Sequence, residues 1–366
     1  MENATLNYQI ALTLLKGIGP IKARQLLSKL GSIESIFHDS LASIAKTTEM
    51  SHTILKQMNR DKALDQASQQ LSYFEKHSIK SHFYTSASYP RRLKQCADAP
   101  LLLFEKGDMN LNAQRIVSIV GTRNATEYGK SVCDEMIKGM VGKNILVVSG
   151  MAYGIDIYTH QLCVKYDIPT IGVLGHGLDR LYPAEHINTA TKMLNNGGLL
   201  TEYLPGTNPD RENFPMRNRI VAGMSDATIV IESKESGGSL ITAELANDYS
   251  RDVFAIPGNI GQIYSKGCNL LIAKQKAHLI TGSNDFLTWM HWKEEEKPKT
   301  IQRALFPNFT QEEEELITIF ELNGELSIDS LSSKSKFPVS KTSVLLFNLE
   351  MVGAVKSLPG KKYRLV

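Results

Sequence analysis

The sequence has few cysteines and no long apolar run. Its four cysteines are far apart, form no CxxC pair and have no clustered histidines, so neither a zinc site nor a disulfide framework is expected. No segment approaches the roughly 18 apolar residues of a membrane span. The first residues resemble neither a signal peptide nor a transit peptide. These absences predict a cytoplasmic protein with reduced thiols and no membrane contact.

Nucleotide-binding motifs are also missing. The turn Gly121-Thr122-Arg123 is not part of a GxGxxG motif, because the next glycine is Gly129. The second strand of the same region ends in Ser149-Gly150, where an acidic ribose ligand is expected in dinucleotide-binding folds. The P-loop pattern GxxxxGK(S/T) does not occur either. The sequence therefore predicts no cofactor.

The net charge gives little indication of a partner. It is only +3 over 366 residues. Residues 1–95 hold 13 basic and 7 acidic side chains, and the rest of the chain is slightly acidic. Any affinity for a polyanion must therefore come from the local placement of basic residues.

Strand and helix signals alternate from Arg115 to about Thr281. This alternation predicts an α/β fold with an extended Rossmann-like, mostly parallel sheet. Ligands of such sheets bind at the carboxyl ends of the strands, where the strand order reverses, so the turn at Gly121-Thr122-Arg123 is expected to border the crevice. The predicted strands are Ser81 to Tyr84, Ile116 to Val120, Ile145 to Ser149, Thr170 to Leu174, Leu199 to Tyr203, Ala227 to Ile231, Val253 to Ile256 and Ala277 to Ile280.

The predicted strand ends offer several groups suited to phosphate. Small residues and helix N-termini supply free amides and a partial positive charge, and arginines can bind phosphate or stack on bases. No nucleophile and base are visible together, so a single strand of nucleic acid fits better than a small substrate. The candidate residues are Arg123, Ser149, Gly150, Phe214, Arg217, Asn218, Arg219, Ser236, Gly237, Gly238 and Ser239.

Some of these candidates have simpler interpretations. Arg217 and Arg219 are two residues apart, so on a helix they point in different directions and one of them is expected to be structural. Phe214 could pack in the core instead of stacking on a base. Asp156 and His160 are explained by a helix cap and a buried imidazole, because no third metal ligand accompanies them.

Each end of the chain suggests a further module. Gly17-Ile18-Gly19-Pro20 between two amphipathic stretches resembles a helix-hairpin-helix or SAM-like module at residues 1–80, in which Gly17, Gly19 and Lys22 would contact a DNA phosphate. The alternative is a plain connection between packed helices. The central domain is placed at 81–290 and a charged linker at 291–303. Helices at Gln311 to Glu321, Ile328 to Ser332 and Ser340 to Met351, followed by strands at Ala354 to Ser357 and Lys362 to Val366, predict a winged helix at 304–366.

A series of motifs resembles the DNA-processing protein A family, also called Smf. They are VGTRNATEYG, VVSGMAYGID, GVLGHGLDRLYPAEH, FPMRNRIVAGMSDATIVIES, SGGSLITAELA and FAIPGN, in the family's order and spacing over about Tyr89 to Thr281. The resemblance implies a non-enzymatic homodimer that binds single-stranded DNA and loads the RecA recombinase onto it during natural transformation. It places the DNA-binding pocket on the candidate residues given above. Departures occur at Gly267-Cys268-Asn269 and at Thr201-Glu202.

Two other functions remain as alternatives. Ser236-Gly237-Gly238, with Glu244 six residues further on, is similar to the PGGxGTxxE motif of nucleoside-monophosphate phosphoribohydrolases, but Leu240 and Ile241 replace its second glycine and threonine. The second alternative is a transcription factor that acts through the winged helix. Its expected recognition helix carries only Lys341 as a cation, whereas readers of duplex DNA usually need more.

Overall fold

The computed structural model describes residues 2–293, 309–358 and 362–365. The chain divides into two compact units, Met1–Trp292 and Lys293–Val366. Most of the predicted linker at 291–303 lies outside the described residues, as does the predicted last strand residue, Val366. Among the described helices, none has the length and apolar composition to cross a membrane.

The first unit begins with six helices. They are α1 (Glu2–Leu14), α2 (Pro20–Leu30), α3 (Ile33–His38), α4 (Leu41–Thr48), α5 (His52–Gln57) and α6 (Arg60–Lys76). Pro20 opens α2 at a position where its missing N–H is not needed. The helices share one hydrophobic cluster with the sheet, where the rings of Phe74 and Phe104 stack with centroids 4.8 Å apart. The segment predicted as a helical module therefore shares a core with the central domain.

The first unit continues as a nine-stranded sheet in the order β1-β2-β6-β5-β4-β3-β7-β8-β9. Strands β3 to β9 run parallel, whereas β1 and β2 are antiparallel additions beyond β6. The strands are β1 (Lys80–Phe83), β2 (Leu102–Asp108), β3 (Arg115–Gly121), β4 (Ile145–Ser149), β5 (Thr170–Val173), β6 (Gly197–Thr201), β7 (Ala227–Ile231), β8 (Asp252–Ala255) and β9 (His278–Leu279). The prediction of a large, mostly parallel sheet is confirmed.

Helices cover both faces of this sheet. They are α7 (Arg91–Lys94), α8 (Glu127–Met140), α9 (Ile155–Lys165), α10 (Ile187–Met193), α11 (Asn213–Met224), α12 (Gly238–Asp248), α13 (Lys266–Ala273) and α14 (Ser283–Trp289), with a 3-10 turn at Ala184–His186. Successive residues of β3 and β4 enter different hydrophobic clusters, which explains their almost continuous apolar sequences. The strand order reverses at β3, which has β4 on one side and β7 on the other, as expected for a ligand crevice.

The two largest differences from the predicted sheet concern β6 and β2. Strand β6 begins and ends two residues earlier than predicted. Strand β2 was not predicted, because Glu105 and Lys106 interrupt the apolar pattern of its sequence LLFEKGD. Glu105 is buried there, and its carboxylate accepts a hydrogen bond from His82 at 2.7 Å and one from Lys80 at 3.2 Å. These contacts between β1 and β2 compensate for a charge inside the strand.

The second unit contains three helices and a three-stranded sheet in the order β10-β12-β11. Its elements are α15 (Gln311–Asn323), β10 (Leu326–Ser327), α16 (Ile328–Ser335), α17 (Val339–Met351), β11 (Val355–Leu358) and β12 (Lys362–Leu365). A capping box between Thr310 and Glu313 starts α15. Leu316, Phe320 and Leu346 are fully or almost fully buried in this unit's own core. The predicted helices and hairpin strands are present, and β10 is an additional short strand.

Candidate functional site

A crevice with a cavity volume of about 720 Å³ lies at the carboxyl ends of β3, β4, β5 and β7. Segments that follow each of these strands line it, together with α11 and the start of α12. Four basic side chains reach the crevice, from Arg123, Arg211, Arg217 and Lys234, whereas Asp156 is the one carboxylate among its described lining residues. The crevice is therefore suited to an anion.

The turn after β3 is held in place by glycines. A Cβ on Gly121 would lie 2.1 Å from the backbone oxygen of Ile231, and a Cβ on Gly154 would lie 2.2 Å from that of Thr122. Gly154 also has φ +78°, which favours glycine. The amide of Ile155 donates to the oxygen of Thr122 at 3.1 Å. This tight packing fixes the backbone of the turn and leaves the side chain of Arg123 exposed at the crevice.

Gly150 lies at the floor of the crevice. A Cβ on this residue would lie 2.3 Å from Oδ2 of Asp156 and 2.6 Å from Nη2 of Arg217. Both charged groups therefore converge on one point, and only glycine leaves room for them. The Arg217 side chain is 5% exposed, its Nη1 donates to the oxygen of Val173, and its Nε has no hydrogen-bond partner among the described residues. A buried donor without a partner is uncommon in folded proteins.

Burial also changes the ionisation of groups near this floor. It raises the pKa of Asp156 to about 6, although Arg217 favours the charged carboxylate. Burial lowers the pKa of His160 to about 4, and its Nε2–H donates to the oxygen of Gly150 at 2.7 Å. Burial likewise lowers the pKa of His176, which donates from Nδ1 to the oxygen of Gly177. The two histidines are thus neutral supports of the crevice backbone.

Among the helices that begin near the crevice, α8 and α12 have different N-termini. At α8, Thr126 is the N-cap, and its amide and hydroxyl donate to the carboxylate of Glu232 at 2.9 and 2.5 Å. In dinucleotide-binding folds the pyrophosphate occupies this position, so Glu232 disfavours such a ligand. At α12 no described side chain caps the helix, and a Cβ on Gly238 would meet no described atom within 4 Å. The amides at the start of α12 are therefore open to an anion.

Aromatic rings form one wall of the crevice. Phe214 is half-buried, lines the crevice and lies with its ring centroid 6.0 Å from that of Tyr182. Tyr182 is 51% exposed, and Tyr153 on the neighbouring loop is 46% exposed. Such rings offer flat faces on which bases can stack. The structure therefore places Phe214 at the crevice surface and not in the core.

The structure brings most of the predicted site residues together. Arg123, Gly150, Phe214, Arg217, Asn218, Gly237, Gly238 and Ser239 all line the crevice. Ser149, Arg219 and Ser236 do not belong to its lining. The hydroxyl of Ser149 donates to the oxygen of Ile119 at 2.6 Å, and Ser236 is exposed on the loop before α12.

Arg219 differs from Arg217 in the direction of its side chain. It is 5% exposed and forms a buried ion pair with Glu202, so its charge is already compensated inside the unit. The expectation that one of these two arginines is structural therefore agrees with their environments. The sequence interpretation missed Arg211, Lys234 and Tyr182, which lie in loops without a periodic pattern.

The Gly17 to Pro20 hairpin lies outside the crevice lining. Gly17 has φ +81°, and its oxygen accepts a hydrogen bond from Nζ of Lys22 at 3.2 Å. Arg24 donates to the backbone oxygens of Cys96 and Ala97, so it is engaged in the packing of α2 on the central domain. Gly19 and Lys22 are exposed. The hairpin at least connects two packed helices, and its contact with DNA stays a prediction.

Two observations count against the alternative functions. The carboxylate of Glu244, which a phosphoribohydrolase would need in the crevice, is outside its lining and pairs with Lys276 at 3.1 Å on the surface. Lys341, the cation on α17, is paired with Glu312. In the part of the chain that the structure describes, no three potential ligands are grouped to hold a metal ion.

Comparison with known proteins identifies the family. A family model described as DNA recombination-mediator protein A matches residues 80–291. The DNA processing protein DprA of Bacillus subtilis (strain 168) is 41% identical over 216 residues, which are 59% of this chain and 72% of that protein.

Two solved structures are similar as well. The X-ray structure of DprA from Streptococcus pneumoniae has a TM-score of 0.64 and 31% identity, and the match covers 79% of this chain and 97% of that one. DprA from Helicobacter pylori, whose structure is described in terms of its single-stranded DNA binding mode, has a TM-score of 0.53 and 27% identity over 58% of this chain and 95% of that one. The chain therefore belongs to the family of DNA recombination-mediator protein A.

Proposed function

We propose that the crevice at the carboxyl ends of β3, β4, β5 and β7 binds single-stranded DNA. The observation that carries this proposal is the buried guanidinium of Arg217, which lines a crevice that also receives the N-terminus of α12, where no described side chain caps the helix. A buried cation beside free amides favours a phosphate. The single-stranded DNA binding mode described for the Helicobacter pylori relative supports the same ligand.

A single strand suits the crevice better than a duplex for a geometric reason. Bases of a single strand can turn their faces toward Phe214 and Tyr182, whereas bases of a duplex are already stacked and paired. Each stack of a base on an aromatic ring contributes about 1–3 kcal/mol. Phosphates at the floor and bases at the wall can then be held at the same time.

The wider role that we propose follows the family. The protein would act as a cytoplasmic homodimer that loads RecA onto single-stranded DNA in DNA uptake and recombination, without catalysing a reaction. The second unit, proposed to be a winged helix, would dock a protein partner, because its one cation on α17 is paired with Glu312. The rate of RecA filament formation on single-stranded DNA, measured with and without the protein, tests this role.

Replacing the exposed Arg123 with alanine is expected to weaken binding of a labelled single-stranded oligonucleotide at least tenfold, about 1.4 kcal/mol. The physical reason is the loss of one cation that contacts phosphate at the crevice, which also reduces the salt dependence of binding. Fluorescence anisotropy across a salt series measures both effects, with a duplex of equal length for comparison.

Arg91→Ala is the matched control for this variant. Arg91 is also an exposed arginine, but it lies on α7, where the neighbouring Arg92 contacts Asp226 and Gln114 before β7 and β3 begin. It is therefore at the amino ends of the strands, opposite the crevice, and its loss should change the affinity less than twofold. Equal losses in the two variants would show that DNA binds elsewhere on the protein.

A further inference from the structure

The crevice contains a feature that binding of DNA alone does not explain. Asp156 is a carboxylate inside a site for an anion, and its side chain is only 8% exposed. An ionised carboxylate repels a phosphate that approaches within a few ångströms. A site that only had to bind phosphate would have a higher affinity without this carboxylate.

The position of Asp156 indicates what it does in the free protein. Its Oδ2 and the Nη atoms of Arg217 all lie within 2.8 Å of the point where a Cβ of Gly150 would be. The carboxylate and the guanidinium are therefore neighbours at the floor of the crevice. Asp156 also accepts a hydrogen bond from the amide of Ala152, which holds it in this place.

We propose that Asp156 is the counter-ion of Arg217 in the free protein, that a DNA phosphate competes with it for this guanidinium, and that DNA binding is therefore coupled to protonation of Asp156. This inference rests on the proposed function of the crevice. It assigns to Asp156 a role in setting affinity and its pH dependence, and it requires no movement of the backbone.

The charged neighbours of Asp156 favour protonation of its carboxylate when a phosphate binds. Two cations face it, Arg217 from α11 and Arg123 from the turn after β3. A phosphate neutralises these cations, so the carboxylate loses the charges that favour its ionised form. Its pKa, which burial already raises to about 6, then rises further.

Two of the other titratable groups near Asp156 do not change charge in the same pH range. Burial lowers the pKa of His160, on the same helix, to about 4, so this imidazole is neutral near pH 6. Burial raises the pKa of Cys133, which faces Asp156 from α8, to about 12, so this thiol is neutral as well. A titration of binding near pH 6 that is lost in Asp156→Asn would therefore report on Asp156.

The test compares the wild type with Asp156→Asn in binding of a labelled oligothymidylate, whose phosphates and bases keep one charge state over the range used. For the wild type, Kd should rise at least fivefold between about pH 6 and about pH 8, because a proton must be taken up to bind. Asp156→Asn should bind about tenfold more tightly than the wild type at the higher pH and should show no rise in Kd.

Glu185→Gln is the matched control. It also removes one negative charge, and Glu185 is exposed and accepts a hydrogen bond from Tyr153 at 3.1 Å. Hydrogen bonds hold the pKa of Glu185 below its usual range, so this variant should keep the pH dependence of the wild type. If Asp156→Asn also keeps the pH dependence of the wild type, the inference is wrong. If the wild type does not bind at any pH, the proposed function itself fails.

A second measurement separates this role from a purely structural one. Because the pKa of Asp156 is raised by folding, the carboxyl stabilises the fold fully below its ordinary pKa near 4, and this contribution is lost as the pH rises through about 6. The melting temperature of Asp156→Asn, taken relative to that of the wild type, should therefore be higher at about pH 8 than at about pH 5. A difference between the two proteins that is the same at both pH values would contradict the proposal.

Discussion

Replacing Arg217 with alanine is expected to weaken binding of single-stranded DNA at least 100-fold, about 2.7 kcal/mol. Arg217 is 5% exposed at the floor of the crevice, so hydrogen bonds from its guanidinium to a phosphate would form where water competes little. Removing one partner of a buried, charged hydrogen bond typically costs about 2–5 kcal/mol. The loss should exceed that for the exposed Arg123, whose contacts are screened by solvent.

This variant needs a control for folding, because it leaves Asp156 buried without its cation. The double variant Arg217→Ala with Asp156→Asn removes both charges and so avoids an uncompensated carboxylate. Its melting temperature should be closer to that of the wild type, while its affinity for the oligonucleotide stays at least 100-fold weaker. Recovery of binding in the double variant would mean that Arg217 serves only to neutralise Asp156 and does not contact DNA.

The fold of the central domain could be predicted because its signals are local. Strands such as β4 and β7 are continuous apolar stretches bounded by turns, and their predicted bounds match the observed ones. The rule that ligands bind at the carboxyl ends of parallel strands then brought residues 123, 150 and 237 together, although they are far apart in the sequence. Strand β2 escaped prediction because its charged Glu105 is compensated by residues of another strand.

The direction of individual side chains could not be predicted in the same way. Spacing indicated that Arg217 and Arg219 diverge, but it could not tell which one faces the crevice. The answer depends on Glu202, which follows β6 and meets Arg219 only in the folded chain. Ser149 has the small size that a phosphate site favours, but its hydroxyl donates a hydrogen bond to the oxygen of Ile119 on the neighbouring strand. Such competition between partners is a property of the packing and leaves no local pattern.

Replacing Gly154 with alanine is expected to destabilise the first unit by about 3–5 kcal/mol. Two causes combine at this position, namely φ +78° and a Cβ that would lie 2.2 Å from the oxygen of Thr122 and 2.5 Å from the carbonyl carbon of Arg123. Both contacts are with backbone, so no side chain can turn away to relieve them. The turn that carries Arg123 must then move, and affinity for single-stranded DNA should fall together with stability.

Gly142→Ala separates these two causes. Gly142 has a similar φ of +72°, but a Cβ there would meet no atom within 4 Å. Only backbone strain is expected, about 1–2 kcal/mol, and the crevice should keep its affinity. Urea unfolding of both variants measures the difference, and anisotropy with an oligonucleotide measures binding by the folded protein. Equal destabilisation in the two variants would mean that the turn after β3 has room to adjust, and the rigid placement of Arg123 by Gly154 would then be wrong.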